Sequence, residues 1–132
     1  PHLEVFFHGG ISFDPYRERY RQVIPSERMQ YRETYNASEG FFGVQDDPTS
    51  SSMLLMQDYG IFYEFIPMSQ FDAPDRQAIP LADVQKGVNY ALVISTLGGL
   101  YRYIIGHGHV HRTAPLQVHH HGTYAELYQC LR

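Results

Sequence analysis

Apolar runs of strand length recur along most of the chain and are separated by residues that favour turns. Residues 3–7 are apolar and lead into a histidine and two glycines, which predicts a buried strand followed by a flexible loop. Asp14 followed by Pro15 predicts a helix with Asp14 as its N-cap, and Pro25 predicts the end of that helix. A strand, a glycine-rich loop and a helix in this order indicate an α/β fold.

Further apolar runs predict more strands and two hairpins. Residues 29–35 alternate and are rich in tyrosine, which predicts a strand. The runs 53–56 and 61–66 flank an Asp-Tyr-Gly turn and predict a hairpin, and the runs 88–96 and 100–105 flank a Leu-Gly-Gly turn and predict a second one. The expected core consists of apolar side chains on these strands: Val5, Phe6, Phe7, Phe41, Phe42, Leu54, Leu55, Ile61, Phe62, Phe65, Ala91, Val93, Ile94, Ile104 and Ile105.

The composition is that of a globular domain, with 132 residues of which 43% are hydrophobic and 18% charged. The formal net charge of −4 argues against a nucleic-acid-binding surface, and a single cysteine, Cys130, excludes a disulfide framework. No apolar run is long enough to span a bilayer, and the first residues lack the pattern of a signal peptide. We therefore expect a cytoplasmic protein without nucleic-acid or membrane partners.

Residues 35–40, Tyr-Asn-Ala-Ser-Glu-Gly, combine three kinds of side chain at the end of a predicted strand. The ring of Tyr35 can cover a flat base, the hydroxyl of Ser38 can contact a phosphate, and the carboxylate of Glu39 can bind a hard cation such as Mg²⁺. From spacing alone, a turn capped by Ser38 or Glu39 is the favoured interpretation of the same residues.

Four blocks occur in order along the chain, and they read VFFHGG, YNASEGFFG, LLMQDYGIFYEFIP and GVNYALVISTLGGLYRYIIG. Together they resemble the auxin-responsive GH-three family of acyl-acid amido synthetases, in its bacterial branch, over residues 1–106. That family belongs to the adenylate-forming superfamily, with the acyl-CoA synthetases and luciferase. The resemblance implies an α/β fold, as a mixed, strand-rich fragment of the large N-terminal domain of an adenylate-forming enzyme.

The resemblance implies an ATP-dependent ligase whose partners are a small-molecule carboxylic acid and an amine or amino acid. The acid attacks the α-phosphate of ATP to give an acyl-adenylate and pyrophosphate, and the amine then takes the acyl group to form an amide. Positioning and charge neutralisation supply most of the catalysis in such a reaction, because the attacking carboxylate and the polyphosphate repel each other. A covalent protein nucleophile is therefore not required.

The resemblance also implies roles within the 35–40 segment. Tyr35 matches the tyrosine whose ring packs on adenine, and Ser38 matches the small hydroxyl residue near the α-phosphate. Glu39 matches the acid that is associated with Mg²⁺. Ser38 and Glu39 are thus the expected catalytic residues, and all three residues are expected to bind ATP or its Mg²⁺.

Two other blocks supply further expected cofactor-binding residues. Gly9 and Gly10 match the glycine-containing loop that borders the adenine, and Tyr103 and Gly106 fit the end of the third nucleotide motif of the family. That motif ends in an aspartate that is expected to hold the ribose hydroxyls, and this chain has His107 there. An imidazole can make one hydrogen bond to the ribose but cannot accept two hydroxyls as a carboxylate does.

The residues after Gly106 form a histidine-rich tail, residues 107–132, in which the resemblance to the family stops. The tail contains six of the eight histidines of the chain. His107, His109 and His111 alternate, so on a strand they would share one face and could bind zinc or nickel. A histidine-rich metal-binding module is therefore an alternative function, although the usual zinc spacings are absent.

A second interpretation of residues 107–132 is translation out of frame after a frameshift. With suitable synonymous codons, the same nucleotides read one base later give TVTFTAPLHYKFTITGRTRNFINAFG. This string alternates like a β region and resembles the family. The hypothesis predicts that residues 107–132 pack poorly or lack order, because no selection shaped their pattern.

These observations divide the chain into a partial adenylate-forming large domain, residues 1–106, and the tail. We expect an internal piece of a longer enzyme, which is inactive by itself and self-associates through uncovered strand edges and apolar faces. The remaining alternative is a non-catalytic fragment that retains a nucleotide-binding surface.

Overall fold

Strands form most of the fold. A computed structural model of the chain describes residues 3–9, 13–50, 52–111, 117–119, 122–124 and 126–127, with side chains described as far as Ile105. The elements in chain order are β1 (Val5–Gly9), α1 (Asp14–Val23), β2 (Gln30–Ala37), β3 (Gly40–Val44), β4 (Met53–Leu55), β5 (Ile61–Pro67), β6 (Ile79–Pro80), β7 (Asn89–Thr96), β8 (Tyr103–His111), β9 (Gln117–His119), β10 (Gly122–Tyr124) and β11 (Glu126–Leu127), with short 3₁₀ turns at Met68–Gln70 and Leu81–Asp83.

The first sheet has the strand order β1-β2-β3-β4-β11 and is mixed, because β1 and β2 run parallel while the other pairs are antiparallel. The helix α1 makes the crossover that two parallel strands need. It packs on them through aromatic rings, since Phe6 of β1 contacts Tyr20 at a centroid distance of 4.9 Å and Tyr31 of β2 contacts Phe13 at the same distance. The predicted strand–loop–helix order is therefore present.

The helix α1 differs from the predicted helix at its first residue. Phe13 is the N-cap residue, and Asp14 is the first residue within the helix. The prediction that Asp14 is the N-cap is wrong. In the first turn the Asp14 carboxylate instead lies near the positive end of the helix dipole and pairs with Arg17 at 3.3 Å.

The second sheet has the order β6-β5-β7-β8 and is antiparallel throughout. Residues 90–94 of β7 are all buried, as expected for a central strand rich in branched aliphatic residues. The predicted hairpin of β7 and β8 is confirmed. In its Leu-Gly-Gly turn, Gly99 has a φ of +103° and donates a hydrogen bond of 3.1 Å to the carbonyl of Thr96.

The hairpin predicted between residues 53–56 and 61–66 does not form. Strand β4 pairs with β3 in the first sheet, whereas β5 pairs with β7 in the second. The predicted turn is present, with Gly60 at a φ of +71°, but it carries the chain from one sheet to the other. A turn signal indicates a local change of direction and does not specify which strand becomes the partner.

The main hydrophobic core joins buried residues of both sheets. Phe42, Phe65, Leu92 and Ile94 have no exposed surface. The core prediction is wrong for three residues that are largely exposed: Val5, Phe7 and Phe62. Val5 and Phe7 alternate with the half-buried Phe6 and His8 on β1, so they lie on the opposite face of that strand.

The backbone of β8 continues past Gly106 to His111 and pairs with β7. The prediction that the tail lacks order is therefore wrong for residues 107–111, which form ladder hydrogen bonds because such bonds need only backbone groups. Further along, β10 pairs with β9 and β11 pairs with β4. In the described part of the chain, helices long and apolar enough to cross a membrane are absent.

Candidate functional site

The segment 35–40 spans the end of β2, a two-residue turn and the start of β3. Its pairing with β3 is irregular between Tyr35 and Asn36, and such a bulge changes the direction of a strand. Ser38 and Glu39 form the turn, with Ser38 exposed and Glu39 partly buried. A ligand can therefore reach both the hydroxyl and the carboxylate.

Tyr35 lies in the hydrophobic core and is 7% exposed. Its ring packs edge-on against Phe42 at a centroid distance of 5.1 Å, and its buried hydroxyl has no hydrogen-bond partner. Burial and the charge of Glu39 raise the pKa of Tyr35 to about 12. In this arrangement the ring serves core packing, and its contact with adenine stays a prediction.

Tyr103 of β8 meets Glu39 of the β2–β3 turn. The Glu39 carboxylate, as an acceptor and through its charge, raises the pKa of Tyr103. Tyr103 is 41% exposed, so the pair lies at the surface. The two residues belong to sequence blocks that were assigned separately to a nucleotide site.

Gly9, at the end of β1, lies directly beside the strand that leads into the 35–40 segment. It pairs with Thr34, and a Cβ atom at Gly9 would lie 2.7 Å from the Thr34 carbonyl oxygen and 2.7 Å from Asn36 Oδ1. Only glycine permits this approach of β1 to β2. Gly10 lies outside the described residues. Asn36 was not predicted as a neighbour of Gly9, although it belongs to the quoted motif.

A cavity of about 430 Å³ adjoins Gly9 under α1, and it is lined by Phe6, His8, Gly9, Phe13, Tyr16 and Tyr20. His8 stacks on Phe13 at a centroid distance of 4.1 Å, and its buried Nδ1 has no hydrogen-bond partner. Burial and the charge of Arg17 lower the pKa of His8, while Asp14 acts in the opposite direction. Neutral imidazole is therefore favoured at this position.

Gly106 lies in β8 at an irregularity of its pairing with β7. Ala91 pairs with His109 and Val93 pairs with Ile104. These two pairs are two residues apart along β7 but five residues apart along β8, so β8 has extra residues between them. The extra residues include Gly106 and the position at which the family motif has aspartate. The third motif therefore ends in a bulge, where the strand departs from regular pairing.

The alternative metal site falls mostly outside what the structure describes. Among the described side chains, no group of three histidine, cysteine, aspartate or glutamate residues is arranged to hold a metal ion. The imidazoles of the tail are not among those side chains, so zinc or nickel binding by residues 107–132 stays a prediction.

Two charged residues next to the site were not predicted from the sequence. Arg102 Nε lies 3.0 Å from Glu64 Oε2, and Arg102 directly precedes Tyr103. The signal was available in β5, where Glu64 interrupts an otherwise apolar and aromatic strand. A carboxylate in such a strand needs a charged or hydrogen-bonding partner, and its position alone does not show which residue provides one.

Comparison with known proteins identifies related sequences. The GH3 family central domain matches residues 54–115. Indole-3-acetic acid-amido synthetase GH3.4 of Arabidopsis thaliana is 32% identical over 114 residues, and GH3.8 of Oryza sativa subsp. indica is 32% identical over 113 residues. Jasmonoyl–L-amino acid synthetase JAR4 of Nicotiana attenuata is 29% identical over 100 residues.

These matches cover 80%, 80% and 72% of the chain and 18%, 18% and 17% of the respective relatives. The chain therefore spans less than a fifth of the length of these plant relatives. Each of these matches is longer than the 54–115 segment, and the resemblance seen in the four sequence blocks is confirmed at the level of the family. The chain belongs to the GH3 family.

Proposed function

We propose that this chain is part of an ATP-dependent acyl-acid amido synthetase of the adenylate-forming type. The observation that carries the proposal is the β2–β3 turn, in which the exposed Ser38 and the partly buried Glu39 lie side by side in a GH3-family chain. The overall reaction converts a carboxylic acid and ATP into an acyl-adenylate and pyrophosphate. An amine or amino acid then displaces AMP and forms the amide.

The names of the relatives support these substrate classes. The Arabidopsis and rice proteins are named for indole-3-acetic acid, and the Nicotiana protein is named for the joining of a jasmonoyl group to an L-amino acid. We extend from them to this chain only the general pairing of a small carboxylic acid with an amine or amino acid.

The exposed side of the site fits the phosphate and metal end of ATP. Glu39 would bind Mg²⁺ through its carboxylate, and the Ser38 hydroxyl would donate a hydrogen bond to the α-phosphate. Bound Mg²⁺ would neutralise phosphate charge, which allows an anionic acid to approach.

The test is ATP–pyrophosphate exchange driven by a panel of carboxylic acids. We would assay both the 132-residue chain and a full-length GH3 polypeptide that carries this segment with the tail read in the alternative frame. Exchange is expected from the full-length polypeptide only, because the chain spans less than a fifth of its relatives. Absence of exchange with every acid in the full-length polypeptide contradicts the proposed function.

A substitution in the site sharpens this test. Glu39→Gln keeps the size of the side chain but removes its charge, so exchange is expected to fall by about 100-fold, with little change in the unfolding midpoint. Glu27→Gln, which changes an exposed carboxylate outside the site, is the matched control. Equal exchange in the two variants removes Glu39 from the site.

A further inference from the structure

Arg102 has an unusual backbone conformation immediately before Tyr103. Among the described residues, it is the one residue other than glycine with a positive φ, at +46°. The left-handed region is unfavourable for a residue with a Cβ atom, and neighbouring contacts are needed to keep a residue there. The direction in which Tyr103 leaves the chain depends on this backbone angle.

Two contacts hold Arg102 in this conformation. Its backbone N–H donates a hydrogen bond of 3.0 Å to Ser95 Oγ, and its Nε donates one of 3.0 Å to Glu64 Oε2. The Glu64 side chain is 17% exposed, and Glu64 itself is fixed within β5 by pairing with Val93. A partly desolvated, charge-assisted hydrogen bond of this kind is stronger than a pair in open solvent.

We propose that Glu64 is a positioning residue, which through Arg102 holds the turn that sets the direction of Tyr103. The catalytic consequence of this inference rests on the proposed function, whereas the contacts of Glu64 and Arg102 do not depend on it. Glu64 contacts neither Tyr103 nor Glu39 in the interactions described above, and it acts through the guanidinium of Arg102. The alternative is that the Glu64–Arg102 pair only stabilises the β7–β8 hairpin.

The first experiment measures the position of Tyr103 directly in the 132-residue chain. Tyrosine ring signals are recorded by NMR with ring-labelled tyrosine, and the spectrum of Tyr103→Phe identifies the Tyr103 signal. Glu64→Gln is expected to shift that signal, because the turn that sets the direction of the Tyr103 ring is no longer held. Glu18→Gln removes an exposed ion pair with Arg21 on α1 and is expected to leave the signal unchanged.

The second experiment is a rescue that a purely stabilising pair does not predict. Glycine adopts a φ of +46° without strain, so the turn no longer needs Glu64 when residue 102 is glycine. The double variant Glu64→Gln/Arg102→Gly is therefore expected to return the Tyr103 signal toward its wild-type position. A Tyr103 signal that is unchanged in folded Glu64→Gln, or that is not restored in the double variant, overturns the proposal.

Arg102→Lys provides a milder change in case Glu64→Gln does not fold. It keeps the positive charge but loses the Nε donor, so the Tyr103 signal is expected to move in the same direction by a smaller amount. An unchanged signal in this variant also overturns the proposal. Unfolding midpoints of the same samples establish that each variant is folded.

A separate activity measurement distinguishes this inference from the proposed function. In the full-length polypeptide, Glu64→Gln is expected to lower kcat of exchange by about tenfold, because a small displacement of a positioned group is costly, and to leave the KM for the carboxylic acid unchanged. Lack of exchange in the wild-type polypeptide contradicts the proposed function and leaves the NMR result intact. If the wild-type polypeptide is active and Glu64→Gln leaves its kcat unchanged, only the role of Glu64 is contradicted.

Discussion

The carboxylate of Glu39, in the β2–β3 turn of one sheet, raises the pKa of Tyr103, which belongs to β8 of the other sheet. The two residues come from different sequence blocks, and the packing of the two sheets brings them together. A tyrosine phenol is protonated at neutral pH, so the Tyr103 hydroxyl can donate a hydrogen bond there.

Tyr103→Phe removes the hydroxyl and keeps the ring. Because the side chain is 41% exposed, we expect a change of less than about 0.5 kcal/mol in the free energy of unfolding. In the full-length polypeptide, exchange is expected to fall by about tenfold, since the proposed site loses the hydroxyl of Tyr103. Tyr101→Phe is the matched control, because Tyr101 is more exposed and adjoins the same turn. Equal effects of the two substitutions on exchange would show that the hydroxyl of Tyr103 has no specific role.

Tyr35→Phe is expected to stabilise the chain by about 1 kcal/mol, because it removes a buried hydroxyl that has no hydrogen-bond partner. Tyr63→Phe is the control, for which a loss of stability is expected. The Tyr63 hydroxyl donates a hydrogen bond of 3.0 Å to the carbonyl oxygen of Met56, so its loss costs about 1 kcal/mol. Urea unfolding measures both changes. If both variants lose stability equally, the Tyr35 hydroxyl has a partner in solution.

Gly9→Ala is expected to destabilise the chain by about 1–3 kcal/mol, because the added methyl group meets backbone and side-chain oxygens at 2.7 Å. Gly98→Ala is a control in which the nearest atom to the new Cβ is Thr96 Oγ1 at 3.6 Å, an ordinary contact. Thermal or urea unfolding compares the two variants. A Gly9→Ala chain as stable as Gly98→Ala would mean that β1 and β2 lie farther apart than described.

The lowered pKa of His8 predicts a pH dependence of stability. Burial and the charge of Arg17 hold the pKa below its ordinary value of 6.5, so the unfolded chain takes up the proton at a higher pH than the folded chain. The stability contributed by neutral His8 is therefore present above about pH 6.5 and is lost as the pH falls through the pKa of the folded state.

His8→Phe keeps a ring against Phe13 and cannot be protonated. The difference in unfolding free energy between the variant and the wild type is expected to increase as the pH is lowered from about 7.5 to about 5.5. Burial raises the pKa of Glu33, which gives a pH dependence of the opposite sign, but that contribution is common to both proteins and cancels in the difference. A difference that does not vary with pH would show that His8 titrates as it does in the unfolded chain.

The coding DNA tests the origin of the histidine-rich tail. We expect the nucleotides for residues 107–132, read one base later, to encode a string that resembles the family. Nucleotide sequencing across the Gly106 codon provides the measurement. If the shifted frame encodes no such string, the tail is the native sequence, and zinc titration by calorimetry becomes the next experiment. Zinc binding to the wild-type chain, lost in a variant without the tail histidines, would then support the metal-binding alternative.

The sequence by itself determined most of the local structure. Apolar runs identified β5, β7 and the hairpin of β7 and β8, because burial and β-branched residues act within a few positions along the chain. The 35–40 segment was recognised from its residue types, and its resemblance to a known family placed the chain correctly in GH3. The turn at Gly60 was also predicted, since a positive φ selects glycine locally.

The tertiary structure decided which of these elements meet. The turn at Gly60 leads from β4 in one sheet to β5 in the other, and only the pairing of each strand with a distant partner settles this. The contacts of Glu39 with Tyr103 and of Glu64 with Arg102 depend on the same packing. Local patterns specify backbone conformation and which face of a strand is apolar. Partner choice depends on the free energy of burying those faces together, which involves residues far apart in the chain.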